Sequence, residues 1–166
     1  MHPLFHPLFV DYCAYFNDHQ DYFECHEVLE EYWKEIAPGE KLHPLVGYVQ
    51  LATSMYHWRR ENFAGAGRTI QKAINNFKQN QSDIFFSYID LPLLLNDMKK
   101  CHFNMTHHKA FTEIKLPIIN EELQQIVNEK ATNIPPLSKQ FIFNKHMLRD
   151  RSEILAAREQ KKRSRD

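Results

Sequence analysis

The chain has 166 residues, of which 43% are hydrophobic and 25% are charged. This composition indicates a folded globular protein and excludes a wholly disordered chain or a collagen-like repeat. At this length about two thirds of the unfolded chain's surface can be buried, so one domain can form a core without disulfide bonds or a structural metal ion. Lys plus Arg and Asp plus Glu each number 21, so no net charge draws the whole molecule toward nucleic acid or an anionic membrane.

The first two helices are predicted from apolar spacing and from residues that start helices. Pro7 suits a first helical turn, and the apolar residues after it recur at intervals of three and four. This pattern predicts a helix over residues 7–18. Asp21 is placed as an N-cap and a Pro-Gly pair supplies the stop, so a second helix is predicted over residues 22–36.

Two more helices follow in the middle of the chain. Pro44 starts a helix that continues to about residue 60, and Gly47 weakens it unless another part of the chain packs closely there. Asn62 is a good N-cap for a helix over residues 63–79. The first turn of that helix contains two glycines, which predicts close approach of a neighbouring helix.

The helical pattern continues to about residue 101 and weakens beyond it. Residues 90–101 have an apolar face and form a fifth predicted helix. Residues 110–119 suit an extended arm better than a helix, because apolar residues cluster there around a proline. A short helix is predicted from Asn120 to before Ile134, and residues 145–163 read as a highly charged helix whose end frays.

The predicted fold class is therefore all-α. Residues 1–103 form a compact bundle of five core helices. Residues 104–166 form a C-terminal extension, with the extended arm and the charged helix, that packs on the core within a single domain.

The cysteines indicate the compartment. Cys13, Cys25 and Cys101 are an odd number without Cys-x-x-Cys spacing, which argues against a disulfide framework and a thiolate zinc site. A reducing cytoplasm is the predicted location. Residues 1–10 lack the features of a signal peptide, and no apolar run approaches the roughly 20 residues of a spanning helix. No membrane partner is expected.

A helical wheel divides the second helix into an apolar and a polar face. The apolar arc contains Tyr22, Cys25, Val28, Leu29, Tyr32, Trp33 and Ile36. His26 lies at the edge of this arc and Glu30 follows one turn later, so the two are predicted to form a half-buried pair. The other glutamates of the helix, Glu27 among them, turn toward the opposite face.

On the third helix a narrow polar stripe lies opposite the apolar face. It consists of His43, Gln50, His57 and Glu61. Members seven residues apart are separated by about 10 Å along the axis, so they cannot all bind one ion. The candidate polar cluster between the second and third helices consists of His26, Glu27, Glu30, Gln50, His57 and Asn62.

This cluster has two interpretations. Imidazole and carboxylate ligands suit zinc, iron or manganese, which makes His26, Glu30 and His57 a candidate divalent metal site. The chain has neither the His-Glu-x-x-His motif of zincins nor the paired Glu-x-x-His motifs of di-iron bundles. The structural interpretation, which the sequence favours, is that His26 and Glu30 bond to each other or to nearby backbone and fix the helix crossing. It needs no cofactor.

Two segments carry a family resemblance. They read Tyr22-Phe23-Glu24-Cys25-His26-Glu27-Val28-Leu29-Glu30-Glu31-Tyr32-Trp33, then Gln50-Leu51-Ala52, His57 and Arg60-Glu61-Asn62-Phe63-Ala64-Gly65-Ala66. They resemble the domain-of-unknown-function family 309 of small helical bacterial and archaeal proteins. Its pattern is Tyr/Phe-Glu-x-His-Glu-x-x-Glu-x-x-Trp, then Gln-x-Ala, His and Gly-Asn-x-x-Gly-Ala. The resemblance covers about residues 8–100 and implies an all-α bundle without an established activity. Glu61 stands where the pattern has glycine.

The preferred functional hypothesis is a non-catalytic structural or interaction module that contacts a protein partner through its C-terminal extension. The alternative is a metal-dependent hydrolase-like enzyme, in which a metal held by His26, Glu30 and His57 activates water and Glu27 acts as base. A second alternative is weak nucleic-acid binding through the tail, where seven basic residues stand against four acidic ones from Arg149 onward. The interleaved acids disfavour it. Homo-oligomerisation is left open.

Overall fold

The computed structural model describes residues 1–135, and this part of the protein is all-α, as predicted. Its six α-helices are α1 (Pro7–Ala14), α2 (Tyr22–Ile36), α3 (Pro44–Arg59), α4 (Phe63–Gln79), α5 (Leu91–Thr106) and α6 (Glu121–Asn133). Short 3₁₀ helices, Pro3–Phe5 and Ile84–Phe86, precede α1 and α5. The charged helix predicted over residues 145–163 lies outside the described residues. In the described part, every helix is too short or too polar to cross a membrane.

Most helix bounds follow the prediction. The bounds of α2 and α4 coincide with it, and α3 ends one residue early. α1 ends at Ala14 and continues as a π-helical turn, Tyr15–His19, which stops at Gln20 in the left-handed conformation (φ 49°). α5 runs five residues beyond Cys101, because Met105 is fully buried and holds the last turn against the core. The expected boundary between residues 103 and 104 therefore falls inside α5.

From α1 to α5 each helix packs against the next, with α3 at the centre of the bundle. α3 packs on α2 and on α4, and ten of its sixteen residues are buried. Two buried tyrosine hydroxyl groups form hydrogen bonds at this centre. Tyr48 of α3 donates to the carbonyl oxygen of Phe85 at 2.7 Å, and Tyr12 of α1 donates to the carbonyl oxygen of Tyr48 at 2.7 Å. α6 packs back onto α1, where Leu123 and Val127 are fully buried.

Three helices begin with the same His-Pro-Leu tripeptide. The Nδ1 atoms of His2, His6 and His43 each accept a hydrogen bond from the backbone N–H two residues later, at 3.1 Å. An unprotonated imidazole nitrogen thus serves as the N-cap acceptor that Ser, Thr, Asp or Asn usually provides. His2 also stacks on Tyr88 (4.0 Å between ring centroids), and His43 packs edge-on against Phe85 (5.0 Å). Two of the three caps therefore flank the short helix Ile84–Phe86.

Gly47 marks the closest approach of α3 and α4. A Cβ atom at this position would lie 2.4 Å from Oδ1 of Asn76 and 2.6 Å from Cε1 of Phe77. Both distances are far shorter than a van der Waals contact. The expected close packing at Gly47 is confirmed.

The two glycines at the start of α4 have a different explanation. A Cβ atom at Gly65 would lie 2.5 Å from Nδ2 of Asn62, the residue whose Oδ1 accepts the Gly65 N–H at 3.1 Å. Gly65 therefore leaves room for the helix's own N-cap rather than for a neighbouring helix. At Gly67 the nearest atom to a Cβ would be Cγ2 of Thr106, 3.9 Å away, which is ordinary contact distance.

The turn between α3 and α4 contains the one departure from the family pattern. Glu61 adopts a left-handed backbone conformation (φ 63°), and its N–H donates to the carbonyl of Trp58 at 2.9 Å. In this conformation an L side chain clashes with its own backbone, at a cost of roughly 1–2 kcal/mol that glycine avoids. The glycine of the family pattern therefore matches the local backbone geometry.

We expect Glu61→Gly to raise the free energy of unfolding by about 0.5–1 kcal/mol, because relief of the left-handed strain exceeds the greater backbone entropy of glycine in the unfolded chain. Urea denaturation followed by circular dichroism measures the change. Gly39→Ala is the matched control. Gly39 also has a positive φ (81°) and open space around it, so this substitution should lower stability by a similar amount. A less stable Glu61→Gly variant would contradict the explanation.

The predicted extended arm is confirmed between α5 and α6. Residues 110–119 contain no helix, and Ile118 forms an isolated antiparallel bridge with Ile89. Asn17 of the π-helical turn clamps the arm. Its Oδ1 accepts the Leu116 N–H at 2.8 Å, and its Nδ2 donates to the Leu116 carbonyl at 3.2 Å. The side chain of Leu116 is buried in the core.

Candidate functional site

The predicted pair on α2 is present. Nε2 of His26 lies 3.4 Å from Oε2 of Glu30, and Nδ1 of His26 lies 3.3 Å from Oε1 of Glu27. Oε1 of Glu30 pairs in turn with Nζ of Lys34 at 2.9 Å. At least a third of each side chain is exposed. Such hydrated pairs contribute about 0–1 kcal/mol each, so this group is a solvated polar face of α2.

The other three members of the candidate cluster lie on α3 and at the start of α4. Nδ1 of His57 is 3.4 Å from Nδ2 of Asn62, which is the N-cap of α4. Gln50 is half-buried in the middle of α3. Within residues 1–135, no hydrogen bond or ion pair joins these three side chains to the α2 group. The structure therefore places His26, Glu27 and Glu30 in one group and His57 with Asn62 in another, and among the described residues Gln50 is hydrogen-bonded to neither group.

The metal hypothesis gains no support from this arrangement. In the part of the chain that the structure describes, no group of three or more His, Cys, Asp or Glu side chains is placed to hold an ion. A site formed by His26, Glu30 and His57 stays a prediction, and so does the hydrolase-like activity that depends on it.

The motif segment of α2 contributes side chains to the core as well as to the polar face. Its buried residues are Tyr22, Phe23, Cys25, Leu29 and Tyr32. Phe23, which the predicted apolar arc omitted, is only 5% exposed, whereas Ile36 is 46% exposed because it is the last residue of the helix. The indole N–H of Trp33 donates to the carbonyl of Glu40 at 3.0 Å. The motif tryptophan thus closes the connection from α2 to α3.

The three cysteines are free and buried. Burial raises the pKa of the Cys25 thiol well above its usual range, and burial raises the pKa of Cys101 to about 12. Because the thiolate is the reactive form, neither residue is a nucleophile at neutral pH. Cys25 belongs to the core beneath His26 rather than to a Cys/His pair.

A groove between α4 and the C-terminal part of α5 is the concave feature that sequence reasoning missed. We call it the α4–α5 groove, and its volume is about 640 Å³. Its apolar lining consists of Phe63, Ala64, Gly67 and Met105, and its polar lining of Arg68, Gln71, Lys72, His102, Thr106 and His108.

Positive charge dominates the polar lining of the groove. Arg68 and Lys72 are exposed and stand one turn apart on α4, where side chains at this spacing point the same way. Among residues 1–135, no carboxylate lines the groove. At its end, His108 stacks on Phe63 with 4.7 Å between ring centroids. A chain with balanced overall charge thus has a local cationic field beside an apolar surface.

Sequence reasoning missed this groove because its two walls are far apart in the chain. The Arg68 and Lys72 spacing is visible in the sequence, but on an isolated helix it is typical of a solvated face. Only the packing of α5 on α4 brings His102 and His108 opposite them.

Comparison with known proteins gives the family. A model described as "Domain of unknown function (DUF309)" matches residues 9–69, which include the α2 motif and most of the first four helices. The uncharacterized protein YpuF of Bacillus subtilis (strain 168) is 37% identical over 169 residues, an alignment that covers 95% of this chain and 97% of YpuF. No solved structure matches the chain. The identity and its coverage of both chains show that this protein belongs to the DUF309 family.

Proposed function

We propose that this protein is a non-catalytic interaction module of the cytoplasm, and that its α4–α5 groove binds an acidic segment of a protein partner. The observation that carries the proposal is the groove itself, with its apolar lining and a cationic rim to which the described residues contribute no carboxylate. The free, buried cysteines support a reducing compartment.

Charge complementarity selects the partner. Arg68 and Lys72 project from one face of α4 and are not engaged in a salt bridge among the described residues. Bringing carboxylates of a partner to this rim pairs both cations, whereas a basic segment would be repelled.

The apolar lining adds a second requirement. Phe63 and Ala64 present carbon surface to the groove, and burying such surface stabilises a complex by roughly 25 cal/mol per Å². The lined part of α4, residues 63–72, is about 15 Å long at 1.5 Å per residue. This length suits a short peptide segment that carries one or two apolar side chains between its acids.

Nucleic acid fits the groove less well. Single-stranded nucleic acid needs open aromatic faces for base stacking together with a basic track. Here one face of Phe63 is covered by His108, and in the described part of the chain two Lys or Arg side chains, Arg68 and Lys72, line the groove. The lining therefore favours an acidic peptide.

The test is selection of binders from a displayed library of random 12-residue peptides. We expect the wild-type protein to enrich peptides with net negative charge and at least one large apolar residue. The double variant Arg68→Glu/Lys72→Glu should bind the enriched peptides at least about tenfold more weakly, since a loss of about 1.4 kcal/mol corresponds to tenfold in affinity.

Lys99→Glu/Lys100→Glu is the matched control, because these lysines are exposed on α5 but do not line the groove. It makes the same change in net charge and should keep the wild-type affinity. The proposal fails if no peptide class is enriched, or if both double variants lose affinity equally. Tighter binding of a single-stranded oligonucleotide than of the selected peptides would likewise overturn it.

A further inference from the structure

Three buried side-chain atoms in residues 1–135 lack a hydrogen-bond partner, and they belong to two neighbouring residues. They are Nε and Nη2 of Arg59 and the hydroxyl oxygen of Tyr22. The guanidinium carbon of Arg59 lies 4.8 Å from the centroid of the Tyr22 ring, so the two residues are in contact. Because buried polar groups are nearly always paired, their concentration here points to a site for a further hydrogen-bonding group.

The orientation of Arg59 defines what this group must be. Nη1 donates to the carbonyl oxygen of Gln20 at 2.8 Å, which fixes the plane of the guanidinium. Nε and Nη2 form another edge of the same plane, and two parallel N–H groups on one edge match the two oxygens of a carboxylate. The unpaired atoms of Arg59 are therefore those of a bidentate carboxylate receptor.

The charges at this place are consistent with an anion. Burial lowers the pKa of Arg59, with Tyr22 and Asp21 acting in the opposite direction, and a guanidinium stays protonated in proteins. Burial raises the pKa of the Tyr22 hydroxyl, which therefore also keeps its proton. All three unpaired atoms are donors. The nearby Asp21 carboxylate offsets part of the positive charge, which favours a singly charged carboxylate over a doubly charged phosphate.

The surroundings are aromatic. The ring of Phe111 lies 5.9 Å from the guanidinium carbon, 6.1 Å from the ring of Tyr22 and 5.3 Å from that of Trp58. Such walls suit a ligand whose carboxylate is attached to an apolar or aromatic group.

Residues 110–115 cover the place and are held mainly at their two ends. The indole N–H of Trp58 donates to the carbonyl of Lys109 at 2.9 Å, and Asn17 clamps Leu116. Between these points the backbone forms no hydrogen bond with the described residues, and only Phe111 and Ile114 are partly buried. The covering stretch can lift without breaking a helix. Few backbone hydrogen bonds and few buried side chains are the properties expected of a segment that opens locally.

We propose that Arg59 and Tyr22 form a binding site for the carboxylate of an apolar ligand, and that the ligand enters when residues 110–115 lift Phe111 away from the guanidinium.

The direct test is a titration of the ¹⁵N-labelled full chain with sodium benzoate, followed in ¹H–¹⁵N spectra at constant ionic strength. We expect a saturable shift of the Arg59 Nε–H signal together with the amide signals of residues 110–115. Benzamide, which has the same ring without the charge, should leave these signals in place. An unmoved Arg59 signal, or equal shifts with benzamide, would overturn the proposal.

Two sources of the carboxylate are separated by a second titration. A hexapeptide ending in phenylalanine is added with a free C-terminus and with an amidated one. Tighter binding of the free peptide than of benzoate assigns the site to a chain terminus, and the reverse order assigns it to a small acid. Equal binding of free and amidated peptides would contradict the carboxylate receptor.

Substitutions test whether Arg59 and Tyr22 bind the carboxylate. Arg59→Met should weaken benzoate binding at least about tenfold, and Tyr22→Phe should weaken it less, since only one donor is lost. Arg60→Met is the matched control, an arginine at the next position, and should bind benzoate as the wild type does. If Arg59→Met does not fold, the Arg59 signal of the wild-type protein still decides the result.

Discussion

Replacing Gly47 with alanine is expected to lower the free energy of unfolding by about 1–3 kcal/mol, the usual cost of overpacking a core. In an isolated helix the same change would stabilise by about 1 kcal/mol, because alanine has the higher helix propensity. The tertiary contact reverses the sign. The new methyl group would meet the side chains of Asn76 and Phe77 at 2.4 and 2.6 Å, so α3 and α4 would have to separate.

Neither neighbour of Gly47 can move freely. Nδ2 of Asn76 donates to the carbonyl of His43 at 3.0 Å, and the ring of Phe77 is fully buried, 5.0 Å from that of Tyr48. Thermal and urea denaturation of the variant measure the effect. Gly67→Ala is the control within the next helix. Its methyl group would be at ordinary contact distance, so we expect a gain of about 0.5–1 kcal/mol. Stabilisation by both substitutions would contradict the packing described for Gly47.

The second expected result is a loss of stability on mild acidification, from about pH 7.5 to about pH 5, through the histidine caps. Nδ1 of His2, His6 and His43 accepts a hydrogen bond only while it is unprotonated. Burial lowers the pKa of His2 and of His43. The caps of His2 and His43 therefore contribute fully above the usual histidine pKa of about 6.5, and their contribution is lost as the pH falls through the lower pKa of the folded state.

The size of this loss follows from the caps. One N-cap contributes about 1 kcal/mol. We expect a total loss of about 1–2 kcal/mol. Urea denaturation at the two pH values measures it.

Substituting all three cap histidines with asparagine should remove most of this pH dependence, because asparagine is a strong N-cap that does not titrate. As a control, His102→Asn changes a histidine that lies inside α5 and caps no helix, and it should leave the dependence intact. An unchanged pH profile in the triple variant would show that other groups cause the loss.

The sequence predicted those parts of the fold that depend on local residues. Asp21 and Asn62 cap α2 and α4, and each is recognisable from its type and position before a periodic segment. The histidine caps were not predicted, although their His-Pro-Leu tripeptide occurs three times. Proline alone was sufficient to place the helix starts at Pro7 and Pro44, whereas the short helix that begins at Pro3 was not predicted, and the role of the imidazole depends on its rotamer.

The candidate site shows the limit of local reasoning. The wheel placed His26 beside Glu30 correctly, because both belong to one helix. It could not show that His57 and Asn62 form a separate group, because that depends on how α3 and α4 meet. The unpaired edge of Arg59 was also out of reach, since it requires Tyr22 of α2 and Phe111 of the arm at the same place. Residues 145–163, where a charged helix was predicted, lie outside the described part of the chain.

The packing of α1 against α6 has a consequence for how the chain folds during synthesis. Nε2 of His19 reaches the carbonyl of Ala131 at 3.0 Å across 112 residues, and Asn17 clamps Leu116 across 99. The first helix therefore leaves the ribosome long before its partner exists, with one face still uncovered. Contacts between residues so far apart in the sequence form late and slowly. The central hairpin of α3 and α4 can therefore form first, and the two ends of the described chain are joined last.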